Sequence, residues 1–160
     1  MAETEAAFLL SQAGYYLHDR ARYGEAEPLY RRALAIREQE LGASHPNIAS
    51  SLNNLGMLYY AQGKHGEAEP LLRRALAIRE QELGASHPDT ALSLNNLAAL
   101  YQAQGKYGEA ESLLKRALTI CEQAFGQEHP SSRLVRRNYT DLLQEMEKGR
   151  KKAWWRRGRK

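Results

Sequence analysis

Gly24-Glu25-Ala26-Glu27-Pro28-Leu29 occurs again as Gly66-Glu67-Ala68-Glu69-Pro70-Leu71 and, with one change, as Gly108-Glu109-Ala110-Glu111-Ser112-Leu113. His45-Pro46 returns as His87-Pro88 and His129-Pro130, and every one of these spacings is 42 residues. Residues 24–65 and 66–107 agree at 34 of 42 positions, so repetition of one supersecondary unit organises the chain. The third copy has drifted, and the N-terminal copy begins at its first helix.

Each copy reads as two helices. From Asn47 to Ala61, the apolar residues Ile48, Leu52, Leu55, Leu58 and Tyr59 recur at spacings of three and four, the period of an amphipathic helix. Gln62-Gly63-Lys64 breaks the pattern with a turn. A second stripe, Ala68, Leu71, Leu72, Ala75, Leu76 and Ile78, runs within Glu67 to Leu83. Pro70 is expected in the first turn of that helix, where a missing N–H does least harm. Gly84 ends the helix and Ser86-His87-Pro88-Asp89 starts the next, with Asp89 or a neighbour as N-cap. Extended along the chain, the pattern predicts seven helices near 3–20, 24–41, 46–61, 66–83, 88–103, 108–125 and 130–148, and no strand. Short connections make successive helices antiparallel neighbours. Gly56 and Ala98, facing Ala68 and Ala75 on the partner helix, are expected to let paired backbones come close, with Tyr59 and Tyr101 filling the adjacent space.

With 42% hydrophobic and 26% charged residues the chain has the composition of a folded domain rather than a disordered one. No apolar run approaches the ~20 residues that cross a bilayer. The acidic N-terminus does not resemble a secretory signal, and Cys121, the single cysteine, cannot form an internal disulfide. A cytoplasmic protein is expected. The net charge of +4 conceals a division, because residues 148–160 carry eight Lys or Arg and no acid, leaving 15 basic against 19 acidic residues in the body.

Leu52, Leu55, Gly56, Tyr59, Gly63, Ala68, Leu72 and Ala75 have the order and spacing of the tetratricopeptide signature, with Leu52 where that family often has Trp. The unit length, and wording such as Ala-Leu-Ala-Ile-Arg-Glu and Ser-Leu-Asn-Asn-Leu-Ala, resembles the repeats of kinesin light chains and their bacterial relatives over roughly residues 8 to 148. The resemblance implies an all-α, right-handed superhelical α-solenoid of about three and a half repeats. First helices would line a concave surface and second helices the convex back. Solenoid units are expected near 3–41, 46–83 and 88–125, with a last helix at 130–148 and a separate tail at 149–160. Kinesin binding is not implied, since the light-chain heptad segment is absent.

The two closest copies differ at 47/89, 50/92, 57/99 and 60/102, positions that share one face of the first helix. That face also carries Asn53-Asn54 and Asn95-Asn96, continued as Arg137-Asn138. Asn costs up to ~0.7 kcal/mol relative to Ala inside a helix, so four of them in two repeats need a reason. A side-chain amide offers both donor and acceptor, which suits the backbone of an extended peptide. The resemblance carries that role onto these six positions. In the other reading, one Asn of each pair, the second rather than the first, bonds to a neighbouring helix. The candidate peptide-binding set is Asn53, Asn54, Met57, Tyr60, Asn95, Asn96, Gln102, Arg137 and Asn138, with Arg137 favouring an acidic group of the ligand and Met57, Tyr60 and Gln102 supplying selectivity. Ser11-Gln12, with Tyr15 and His18, replaces the Asn pair in the first helix and suggests a different pocket there.

No catalytic, metal or cofactor role is expected. The three repeat histidines precede prolines at successive helix starts, too far apart for ligands that must converge on a zinc at ~2.0–2.1 Å. Cys121 stands where Arg37 and Arg79 do, which suggests partial exposure on the convex side, and no activating partner for its thiol is identifiable. Arg37-Glu38-Gln39-Glu40 and its copies read as a solvated face. The tail from Gly149 to Lys160 breaks the repeat. It is read as a disordered end, as a Trp154-Trp155 cap on the last helix, as a self-association element, or as a contact for nucleic acid or anionic lipid. A protein-interaction module binding an extended peptide is the function expected. The alternative is an architectural scaffold that self-associates or meets an anionic partner through the tail.

Overall fold

A computed structural model describes residues 2–157. Seven helices follow one another, α1 (Ala2–Asp19), α2 (Tyr23–Leu41), α3 (Pro46–Ala61), α4 (His65–Glu82), α5 (Pro88–Ala103), α6 (Tyr107–Phe125) and α7 (Pro130–Arg157), with no strand among the described residues. Each first helix packs on its own second helix, and α1, α3, α5 and α7 also touch in series, so the first helices form one row. None of the described helices is long and apolar enough to cross a membrane.

The repeat determines the packing. Leu52, Leu55 and Leu58 of α3, and Leu94, Leu97 and Leu100 of α5, are buried. Leu55, Leu58, Leu94, Leu97 and Leu100 join second-helix residues that include Ala68, Leu72, Ala110 and Leu114 in one apolar core, while Leu52 packs with Ala75 and Ile78 in a second. The expected close approach is present: a Cβ built on Gly56 would lie 2.8 Å from Leu72 Cγ and Cδ2. The turn glycines Gly63 and Gly105 have φ of +73° and +75°, a left-handed conformation that disfavours side chains. Ala21 occupies the same place in the first copy, at φ +56°.

The helix starts are capped by histidine. His45 Nδ1 accepts from the Asn47 N–H at 3.1 Å, His87 Nδ1 from Asp89 at 3.1 Å, and His129 Nδ1 from Ser131 at 3.2 Å. This narrows the expectation at Asp89: the cap is the residue before the proline, and the proline takes the first helical position, where no N–H is needed. Pro28 and Pro70 lie one step deeper than expected. Because α2 and α4 begin at Tyr23 and His65, each proline falls just past the first turn and deprives the carbonyl of Gly24 or Gly66 of its helical donor.

Two expectations are overturned. Arg37 and Arg79 do not stand on a solvated face, and Cys121 is not partly exposed: Arg79 and Cys121 are buried and Arg37 is half-buried. The reason is geometric. This position on the second helix points back between consecutive first helices, where the guanidinium reaches serine hydroxyls on both. The last helix also differs in length, since α7 does not stop at 148 but continues through Gly149 to Arg157. Trp154 and Trp155 therefore ride on α7, 67% and 62% exposed, with their rings edge-on to each other rather than folded back as a cap. Residues 158–160 lie outside the described chain. Arg136, Tyr139 and Thr140 stand where α5 has Leu94, Leu97 and Ala98, so the face that would receive a second helix is polar.

Candidate functional site

The row of first helices positions the Asn pairs, and their amides bond to one another across repeats. Asn96 Nδ2 donates to Asn53 Oδ1 at 2.8 Å, and Asn138 Nδ2 donates to Asn95 Oδ1 at the same distance. The second Asn of each pair thus reaches the first Asn of the preceding repeat. Asn53 and Asn95 are buried, while Asn54, Asn96 and Asn138 are half-buried. Ser11 stands where Asn54 would find its partner. Its hydroxyl donates to the Ala7 carbonyl and accepts from Arg37. An amide has two donor hydrogens and an acceptor oxygen with two lone pairs. One inter-repeat bond therefore leaves donor capacity on Asn53 and Asn95, and acceptor capacity on Asn96 and Asn138.

Below this ladder, α3, α5, α6 and α7 enclose a cleft of about 690 Å³. Of the residues singled out in the sequence, the structure brings Tyr60, Asn95, Gln102 and Asn138 together on its wall. Asn53, Asn54, Met57 and Asn96 do not line it; Met57 packs partly against the core. Arg137 is exposed and borders a separate shallow surface with Arg133, Arg136, Thr140 and Asp141. Tyr15 is exposed at the other end, whereas His18 is half-buried edge-on to Tyr23 and Tyr30.

The cleft has residues that sequence reasoning missed. Glu145 accepts from Gln102 Nε2 at 2.7 Å and from the Tyr107 hydroxyl at 2.9 Å. Those two donors hold its carboxyl below the ordinary carboxylate range, and the same bond pushes the Tyr107 phenol up. Asp141 joins Glu145 on the wall, and these are the two charged side chains lining the cleft. The signal was available: Asp141 and Glu145 stand 42 residues after Ala99 and Ala103. What is small and neutral in the second copy becomes acidic in the last.

A second polar cluster repeats on the other side of the Asn ladder. Arg79 Nη1 donates to Ser93 Oγ at 2.9 Å and to the Asp89 carbonyl at 3.1 Å, and its Nη2 donates to Ser50 Oγ at 3.3 Å. Arg37 likewise joins Ser11 and Ser51. Burial lowers the pKa of both guanidiniums, that of Arg79 against an opposing effect of Asp89, yet an arginine stays charged at any physiological pH. Each acts as a strap between successive first helices.

The family model described as tetratricopeptide repeat matches residues 5–81, 61–123 and 89–150. No curated protein matches the chain. Among solved structures, the chain is similar to a putative kinesin light chain of Podosopora anserina with nearly identical TPR-like repeats, at 27% identity and a TM-score of 0.81, over 89% of this chain and 67% of that one. It shares its fold with BtubC (BKLC) from P. vanneervenii, at 24% identity and a TM-score of 0.77, over 86% of this chain and 55% of that one. It shares its fold also with the first TPR of Spaghetti (RPAP3) bound to the HSP90 peptide SRMEEVD, at 17% identity and a TM-score of 0.65, over 90% and 95% of the two chains.

Proposed function

The chain belongs to the tetratricopeptide repeat family, and from that premise and the geometry of its groove we propose that it binds an extended peptide segment of a partner protein along the row of first helices. The observation that carries this reading is the amide ladder, Asn96 to Asn53 and Asn138 to Asn95, which runs along the row and retains donors and acceptors. A peptide backbone in extended form presents the complementary groups. The Spaghetti domain, bound to its HSP90 peptide, supports the use of this fold for such a ligand.

The cleft also suggests a charge preference. Asp141 and Glu145 are its charged lining residues, and Asp141 also borders the adjoining surface that carries Arg133, Arg136 and Arg137. A basic ligand residue is therefore expected at Asp141 and Glu145, beside the acidic group that Arg137 favours, and opposite in sign to a peptide such as SRMEEVD. Selection from a library of random twelve-residue peptides, followed by calorimetry, tests both points. Ligands enriched in Lys or Arg are expected, and Asp141→Asn with Glu145→Gln should weaken them about 2–10-fold, the ~0.4–1.4 kcal/mol scale of two exposed charge pairs. If a folded double variant binds the selected peptides as tightly as the wild type, the charge reading is wrong. Absence of any peptide ligand would remove the groove reading itself.

A second reading is favoured by one feature. The helical continuation of α7 carries exposed Trp154 and Trp155 among Arg150, Lys151 and Lys152. Such a helix suits self-association or an anionic partner. Truncation after Lys148 with measurement of mass in solution tests the first, and salt-dependent retention on heparin the second.

A further inference from the structure

The Arg79 strap has a counterpart in the third repeat in which every side-chain member has changed. Arg79 becomes Cys121, Ser93 becomes Val135 and Ser50 becomes Leu92, each 42 residues on. A cluster built from a guanidinium and two hydroxyls has become one built from a thiol, an isopropyl and an isobutyl group. Loss of the arginine alone would have left two hydroxyls facing a gap, whereas here the whole set has turned apolar together. The apolar set does not close the space. A cavity of about 190 Å³ remains between α5, α6 and α7, bordered also by Phe125 and Leu134, with Asp89, Asn95 and Ser131 as its polar lining. Leu92, Phe125 and Leu134 are 45%, 44% and 47% exposed around it, large apolar surfaces left to water at the one repeat junction where no arginine spans the first helices.

We propose that this cavity is an anchor pocket that receives one large apolar side chain, of leucine, methionine or phenylalanine size, from the same extended peptide. The proposal rests on the groove reading and adds the residue class that gives the ligand its register. Three observations support the assignment. Asn95 lines both this cavity and the larger cleft, so the two lie on either side of one ladder residue at the α5–α7 junction. Leu92 and Leu134 occupy the first-helix face that differs between repeats, so the rim of the pocket belongs to the variable surface, while Cys121 and Val135 of the core form its inner wall. Its volume is of the order of the ~150 Å³ apolar cavities that take up a benzene-sized group. The two sites together define a ligand in which a large apolar residue precedes or follows a basic one, the first held by the third-repeat pocket and the second by Asp141 and Glu145.

The test uses random twelve-residue peptides displayed against the full chain. Selected ligands are expected to share one large apolar position at a constant separation from a basic one. A bound ligand should also slow alkylation of Cys121, the single cysteine, by iodoacetamide at least fivefold. The pocket is then filled from the chain's own second repeat, with Cys121→Arg, Val135→Ser and Leu92→Ser together, a set that already packs around Arg79. This variant should bind the selected peptides at least tenfold more weakly, and a new selection on it should lose the apolar position while keeping the basic one. If the filled variant does not fold, Leu134→Asp at the exposed rim supplies the same comparison. Ligands without an apolar position, or unchanged affinity and unprotected Cys121, would overturn the anchor pocket and leave the groove reading standing. Failure to select any peptide would overturn both, and only that outcome does so.

Discussion

Replacing Arg79 by Cys, alone and together with Ser50→Leu and Ser93→Val, tests whether the strap is one cooperative unit. Arg79 is 5% exposed, and its polar partners are two serine hydroxyls and a backbone carbonyl. Hydrogen bonds to a charged group contribute ~1.5–3 kcal/mol each, and a buried hydroxyl left without its partner costs ~1–3 kcal/mol. Part of this is offset by returning the guanidinium to water, since a buried charge that no direct ion pair compensates, Asp89 opposing the burial only in part, carries a desolvation penalty. The single Arg79→Cys change should therefore destabilise by about 2–4 kcal/mol, with Ser93, 1% exposed, as the group left unsatisfied. Removing donor and acceptors together is nearly neutral in the general case, so the triple variant should lose only about 1 kcal/mol. The assay is guanidinium denaturation followed by helical circular dichroism, with Ser50→Leu/Ser93→Val as the remaining corner of the cycle. A coupling of at least ~1.5 kcal/mol is expected, well above the ~0.5 kcal/mol within which independent sites add. Additive behaviour would refute the strap as a unit, and with it the argument that the third repeat exchanged the whole set at once.

Other outcomes follow from single residues. Ala21 holds φ +56° where later copies have glycine, so Ala21→Gly should stabilise the fold by ~0.5–1 kcal/mol and raise the melting temperature by a few degrees. His87→Ala removes the acceptor for the Asp89 N–H and should cost ~1 kcal/mol, with His87→Asn restoring most of it, both read from denaturant midpoints. Burial pushes the His18 pKa below its ordinary 6.5, against a smaller opposing effect of Asp19. The unfolded chain then binds the proton more readily, so this contribution is complete above pH 6.5 and is lost as the pH falls through the window down to the folded pKa. Denaturation at pH 7.5 and 5.5 should show a decline for the wild type that is smaller in His18→Gln. A decline equally steep in the variant would assign it to other groups.

How much was legible beforehand differs between parts of the molecule. The seven helices, their pairing and the close approach at Gly56 were all readable, because the 42-residue period displays the same packing decisions more than once. The Asn pairs were noticed because Asn is a poor helix residue, yet both readings of them had to stay open. The structure shows that one amide bond at each of the last two junctions, Asn96 to Asn53 and Asn138 to Asn95, ties repeats together. Glu145 and Asp141 are two acids on a charge-rich helix, and only the packing of α5 and α6 against it puts them on one wall with Gln102 and Tyr107. Arg37 and Arg79 were misread for a more basic reason: a charged residue on a helix whose neighbours are charged looks solvated in one dimension.

The sequence by itself determined the repeat, the helical class and the apolar stripes, since these depend on local periodicity and on contacts that recur with every copy. Tertiary structure alone decided which side of each second helix meets the next first helix. That geometry made a strap of Arg79, buried Cys121 in its place and opened a pocket beside it. It also drew Gln102, Tyr107 and Glu145 into one cleft. The physical reason is that these features depend on residues about 10 to 43 positions apart in different helices, whose mutual distance follows from the stagger of the repeats rather than from any local preference of the chain.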